Sequence, residues 1–419
     1  MPGDEPMMLS GHVHPDFETM ARSLRRLLPR EGYGGAALCI YHRGECVMDM
    51  WGGTRDIQGR PWEQDTVALS WSTTKGILST LLHILVDRGL AEYDAPVALY
   101  WPEFGQAEKE QITLRQVLCH EAGLYRICDL ITDAREMLDW ERMVAAVERA
   151  RPVHPPGQAH GYHGLTYGWI VGELIQRIAG AGLPHVMERE LVEPLGLEGL
   201  HLGLPDHARE HCAQVIGVGG SGSASALTPE ARRAAVLAPF LRRNRARGSS
   251  AGDLDCDIDE LEAAFLPSGF ESLDWNSRAL RRARIPAISG FFDARSLART
   301  YAALAGGGQI DGVRLLSERT LGEASRVQSR RPGRVIPIPM DWRLGYHRIP
   351  VVRAEAPRAF GHLGIGGSGA WADPQRELAV GLVLNSGLGT PFGDIRIVRV
   401  SSQALQAADR RPVTARAAG

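Results

Sequence analysis

Phe17, Met20, Leu24, Leu27 and Leu28 recur at helical spacing, and this stripe predicts an amphipathic helix over residues 15–28. The pattern then changes. Two apolar runs, 35–41 and 46–51, flank His42-Arg43-Gly44-Glu45 and predict a β-hairpin. Residues 65–71 read as a short strand or loop leading inward, and 76–86 as an apolar helical run. From 72 to about 268 the pattern is mainly helical, most clearly over 138–149 and 169–178. Strand-like segments return at 360–371 and 378–385, around the turn Asp373-Pro374-Gln375-Arg376, followed by a helix over about 394–407. This order predicts an α/β fold in which residues 1–85 and 285–419 build one sheet flanked by helices. Residues 86–284 form an inserted, mainly helical domain. Within it, the composition of 218–255 shifts to Gly, Ser and Arg, which reads as a mobile surface insertion or a rim over a pocket.

Composition narrows the function. A chain of 419 residues, 44% hydrophobic, is long enough for a large buried core. A net charge of −2 gives no electrostatic case for nucleic acid or an anionic membrane, and Arg242, Arg243, Arg245 and Arg247 read as a solvated loop. No run approaches the roughly 18 apolar residues of a membrane span. The first sixteen residues show no basic start followed by an apolar core, so no secretory signal is expected. Six cysteines without Cys-x-x-Cys spacing read as reduced thiols of a cytoplasmic protein, although Cys39 and Cys46 face one another across the expected hairpin. His160 and His163 lie close in sequence but lack an acidic or cysteine partner at ligand spacing, and His211-Cys212 is equally isolated. Neither a metal nor any other cofactor is expected.

The basic residues carry the first chemical signal. Of 47, only Lys75 and Lys109 are lysines. Arginine keeps its proton in proteins, whereas a desolvated lysine releases it near neutral pH. Lys75 follows Ser72 by three positions at the head of an apolar helix, so the two side chains share one face. A serine hydroxyl becomes a nucleophile when an adjacent base takes its proton, and Lys75 is placed to be that base. A second serine competes. Gly248-Ser249-Ser250-Ala251-Gly252 satisfies Gly-x-Ser-x-Gly, but that elbow needs a buried strand before it, and arginines precede this one. Ser250 is therefore read as a decoy.

Ser72-x-x-Lys75 resembles the nucleophile box of the serine β-lactamase and penicillin-binding-protein superfamily. Further segments resemble that family in its order. Leu90-Ala91-Glu92-Tyr93-Asp94-Ala95-Pro96-Val97 follows the nucleophile helix. His120-Glu121-Ala122-Gly123-Leu124 resembles its His-x-x-Gly-Leu turn, and Tyr162-His163-Gly164 its tyrosine box. Residues 294–317 resemble a helix-turn signature, and His362-Leu363-Gly364 lies where the third box stands. The resemblance spans about residues 17–400.

Two departures refine it. The third box of β-lactamases usually begins with a lysine that holds the substrate carboxylate, and here it begins with His362. The tyrosine box usually ends in asparagine, and here it ends in Gly164. Tyr-His-Gly looks most like the carboxylesterase branch, the family VIII esterases. The resemblance implies a small-molecule ester as substrate, Ser72, Lys75 and Tyr162 as the catalytic set, and an oxyanion hole from the backbone N–H groups of Ser72 and Ile365. It further implies substrate contacts at His362, Gly364 and Gly366, the glycines letting substrate approach the strand. The alternatives are an acyltransferase of the same superfamily, a weak β-lactamase or D-amino peptidase and, more remotely, a non-catalytic binding module. The sequence assigns no oligomeric state.

Overall fold

Strand β2 (Gly35–His42) opens with small residues, Gly-Ala-Ala, and ends with large ones, Ile-Tyr-His, and all eight are buried. Ala36, Leu38 and Ile40 enter one core, whereas Ala37, Cys39 and Tyr41 enter another. Both faces of the strand are therefore covered, which is why its sequence reads as a nearly continuous apolar run. The computed structural model describes residues 8–29, 32–217, 257–336, 338–387 and 395–412. The 218–255 insertion and the Ser250 motif lie outside them.

Seven strands form the main sheet: β1 (Leu9–Val13), β2, β3 (Glu45–Gly53), β4 (His347–Arg348), β5 (Phe360–Leu363), β6 (Gly369–Asp373) and β7 (Leu378–Leu384). Their spatial order is β1-β3-β2-β7-β6-β5-β4, and every neighbouring pair is antiparallel. β2 lies directly against β7, so the two ends of the chain meet in the centre of the sheet. The expected strand over 360–371 is two strands, because the Gly364 N–H turns back to the Ser368 carbonyl at 2.7 Å. The expected helix over 15–28 is shorter. A 3-10 turn, Pro15–Phe17, leads into α1 (Glu18–Arg25), which ends before Leu27.

Helix α1 and the last helix, Ile395–Arg410, pack on one face around Phe17, Met20, Leu24, Val400 and Leu405. Against the other face lies Ala294–Ala305. It approaches closely because β7 presents Gly381 there; a Cβ would stand 2.4 Å from the Ala294 carbonyl. Between the two parts of the sheet runs the helical middle, including α2 (Thr73–Asp87), α3 (Trp140–Arg149) and α4 (Thr166–Ala179). Every residue of α2 from Thr73 to Leu85 is buried. Cys39 Sγ and Cys46 Sγ face across the hairpin at 3.8 Å, and both are free thiols.

The second lysine has its own explanation. Lys109 is fully buried at the C-terminal end of α3, where Nζ donates to the carbonyls of Gln106, Glu148 and Ala150 at 2.9, 2.7 and 2.5 Å. Three acceptors around one point suit a tetrahedral ammonium and not a planar guanidinium, and a cation is favoured at a helix C-terminus.

Candidate active site

Ser72 is the N-cap of α2, and Lys75 stands at the third helical position. Helical side chains lean back towards the N-terminus, and this brings Lys75 Nζ to 2.9 Å from Ser72 Oγ. The serine is presented by a strained turn: Trp71, immediately before it, has a left-handed backbone with φ of 51°. The turn is held from several sides. Ser70 N–H donates to the Gly290 carbonyl at 2.8 Å, Thr73 Oγ1 to the Ser368 carbonyl at 3.2 Å, and Thr74 Oγ1 to the Trp71 carbonyl at 2.6 Å.

Lys75 is fully buried, and burial holds its pKa well below the usual lysine range. The positive end of the α2 dipole also disfavours an ammonium there. A neutral amine donates an N–H to the Ala287 carbonyl, 3.2 Å away, and keeps a lone pair for the Ser72 hydroxyl. Tyr162 completes the group, its ring centroid 5.0 Å from Lys75 Nζ. Burial pushes its phenol up, opposed by a hydrogen bond to Ser72, so it stays protonated at neutral pH. The ring is clamped by Trp342, stacked at 5.5 Å and 14°, and by His120 at 4.8 Å.

These groups border a cleft of about 80 Å³ that Ser72, Tyr162, His362, Gly364 and Ile365 help to line. The expected oxyanion donors, the backbone N–H groups of Ser72 and Ile365, have no hydrogen-bond partner among the described residues. Gly366 does not line the cleft; it lies against the Trp71 indole, 2.8 Å from where its Cβ would stand. A Cβ on Gly364 would meet the Ser70 carbonyl at 2.5 Å. The glycines thus let the third box close on the Ser70–Trp71 turn, and Gly364 also lines the cleft.

Gly164 has an equally local cause. A Cβ there would lie 2.5 Å from the Phe265 ring, which fills the space an asparagine side chain would take and lines the cleft. Ile336, Ile338, Met340 and Trp342 make the rest of the wall mostly apolar. These residues escaped sequence reading because they come from segments without a motif, joined to the site only by long-range packing.

His362 is almost fully buried, next to His347 with ring centroids 4.7 Å apart. Burial first, then His347 and Lys75, holds the His362 imidazole well below its usual pKa, and burial lowers His347 to about 4. Both rings are neutral. Tyr167, five residues past Tyr162, is a core residue whose hydroxyl meets Ser79 Oγ at 2.7 Å. His211 is not isolated: the fold brings Asp65 to 2.8 Å from its Nδ1, with Glu63 alongside, on an outer part of the molecule.

Comparison with known proteins agrees with this geometry. The chain is 35% identical over 387 residues to the Esterase/beta-lactamase LipL of Mycobacterium tuberculosis, covering 90% of this chain and 82% of that one. A penicillin-binding protein homolog from Caulobacter crescentus superposes with a TM-score of 0.80 at 31% identity, over 96% of this chain and 100% of that one. The structure of a family VIII carboxylesterase also gives 0.80, at 29% identity, over 96% and 99% of the two chains. No helix among the described residues is long and apolar enough to cross a membrane. The beta-lactamase family model matches residues 20–405, and the chain belongs to that family.

Proposed function

We propose that the protein is a serine carboxylesterase that hydrolyses small to medium acyl esters through an acyl-enzyme on Ser72. The observation that carries this reading is a fully buried Lys75 amine, its pKa held well below the usual lysine range, 2.9 Å from the hydroxyl of Ser72, which lines a cleft. Ser72 Oγ attacks the ester carbonyl as its proton passes to Lys75 Nζ. Charge on the carbonyl oxygen is met by the free N–H groups of Ser72 and Ile365, each typically worth about 3 kcal/mol of barrier. Tyr162, held protonated, gives its proton to the departing alkoxide and regains one from Lys75. Water then attacks the acyl carbon, and the Ser72 Oγ–carbon bond breaks to release the acid.

The preference for esters follows from the walls. Phe265 occupies the place of the tyrosine-box amide donor, and a neutral His362 that of the third-box cation; the charged side chain left in the lining is Arg348, 3.9 Å from Asp341. The family VIII carboxylesterase name and the esterase part of the Esterase/beta-lactamase LipL name support the same activity. We take the setting to be the cytoplasm, on the strength of free thiols at Cys39 and Cys46. Turnover of p-nitrophenyl esters of increasing chain length, with mass analysis after a fluorophosphonate, tests the mechanism. Ser72→Ala is expected to abolish both turnover and adduct. Lys75→Arg is expected to lose at least about 100-fold, because arginine does not cycle a proton. Activity retained in either variant contradicts the assignment.

A further inference from the structure

Two buried side-chain nitrogens of residues that line the cleft, Trp342 Nε1 and His362 Nε2, have no hydrogen bond among the described residues, and the indole nitrogen can only donate. His362 Nδ1 lies 3.2 Å from the Leu363 carbonyl, and a carbonyl only accepts, so Nδ1 carries the proton of the neutral ring. Nε2 is then a bare lone pair, buried and without a hydrogen bond among the described residues. The neighbouring His347 differs: its Nε2 accepts the Leu363 N–H at 3.1 Å and its Nδ1–H donates to the Arg348 carbonyl at 2.8 Å. His347 is fully occupied in fixing β5, whereas His362 has a free acceptor. The other buried imidazole nitrogens without a hydrogen bond among the described residues belong to His42, His154, His160 and His163, and to His211 beside Asp65, and none of these residues lines the cleft. A buried acceptor without a donor is costly and calls for a ligand that supplies one.

We propose that His362 Nε2 positions the water that releases the acyl group from Ser72. This rests on the acyl-enzyme reading above. A water attacking the acyl carbon has two hydrogens and needs an acceptor for each, so that its lone pair points at the carbon. One hydrogen goes as a proton to the Lys75–Tyr162 pair, and the other is held by His362 Nε2 and stays on the new carboxylic acid. The water oxygen bonds to carbon, the carbon–Oγ bond breaks, and Ser72 recovers its proton from the Lys75–Tyr162 pair. His362 undergoes no net protonation. The rings of Tyr162 and His362 are inclined by 29° with centroids 6.2 Å apart, and both residues line the cleft that would hold this water. Its volume of about 80 Å³ exceeds the roughly 10–15 Å³ that a single water needs. An alcohol has a single hydroxyl hydrogen and therefore makes no use of the second acceptor. His362 is thus assigned to hydrolysis and not to transfer.

Two substitutions separate this role from a structural one. The His362→Asn amide ends near the position of Nδ1 and withdraws the acceptor at Nε2, whereas His362→Gln reaches the Nε2 position with an amide oxygen. Stopped-flow turnover of p-nitrophenyl acetate is expected to show a first-turnover burst near the wild-type rate in His362→Asn. Steady-state hydrolysis then falls about 10- to 100-fold and acylated Ser72 accumulates by intact mass. His362→Gln is expected to stay within several-fold of wild type. In added methanol, His362→Asn should give a higher ratio of methyl ester to free acid than wild type. Equal slowing of burst and steady state, no slowing of either, or an unchanged methanol ratio overturns the proposal. Turnover surviving in Ser72→Ala would instead sink the acyl-enzyme reading beneath it.

Discussion

Lys75 is required to do something that its own stability opposes. An unfolded lysine holds its proton at neutral pH, while burial in the fold drives that proton off. The unfolded state therefore binds more protons, and the folded state loses stability relative to it at every pH below about 10.4. Lys75→Met fills the same volume without an amine. It is expected to be inactive and yet more stable by about 1–3 kcal/mol, which thermal unfolding of the two proteins would measure. A loss of stability would mean that the amine's bonds to Ser72 and Ala287 outweigh the cost of burying it. The sequence revealed this pair because it is local: three positions along one helix fix the geometry whatever the rest of the chain does. Tyr162 was legible only through the order of boxes, since 90 residues separate it from Ser72. His347 gave no signal at all. Its place depends on a two-residue strand whose register pairs it with Gly361.

Among the elements, the turn before α4 shows how one position sets the character of a wall. Phe265, from the helix Ile258–Phe265, sits over Gly164 and leaves no space for a side chain. Gly164→Asn is expected to destabilise by about 1–3 kcal/mol through overpacking. Adding Phe265→Ala should recover part of that loss, and a double-mutant cycle of urea midpoints would show the coupling. Independent, additive effects would contradict the contact. Hairpin and helix periods were readable because each segment carries its own pattern, as in β2 and α2. The break between β5 and β6 was not, because the turn is only a few residues long, closed by backbone bonds from Gly364 to Ser368 and from Gly367 to Gly364, and the strands on both sides are buried alike.

At the scale of the molecule, the interior holds an unusual number of uncharged imidazoles. Burial lowers His83 and His347 to about 4 and His163 to about 3, and it holds His120 and His362 well below their usual range. Above about pH 6.5 these rings are neutral whether the chain is folded or not. Below it the unfolded chain takes up protons that the folded rings refuse, down to about pH 4 at His83 and His347 and about pH 3 at His163, so stability falls as the pH drops through that window. Each histidine contributes a slope of up to about 1.4 kcal/mol per pH unit. Urea midpoints measured between pH 7.5 and 4.5 would trace it, and a flat profile would contradict the burial. The lysine count has a last, practical consequence. Both side-chain amines are sealed inside, one beneath the nucleophile and one among carbonyls. Bulky amine-reactive dyes should leave Lys75 and Lys109 unlabelled in the native protein and modify them only once it opens. Peptide mapping of the labelled sites then serves as a direct gauge of unfolding, and labelling of either lysine in the native state would contradict the packing described.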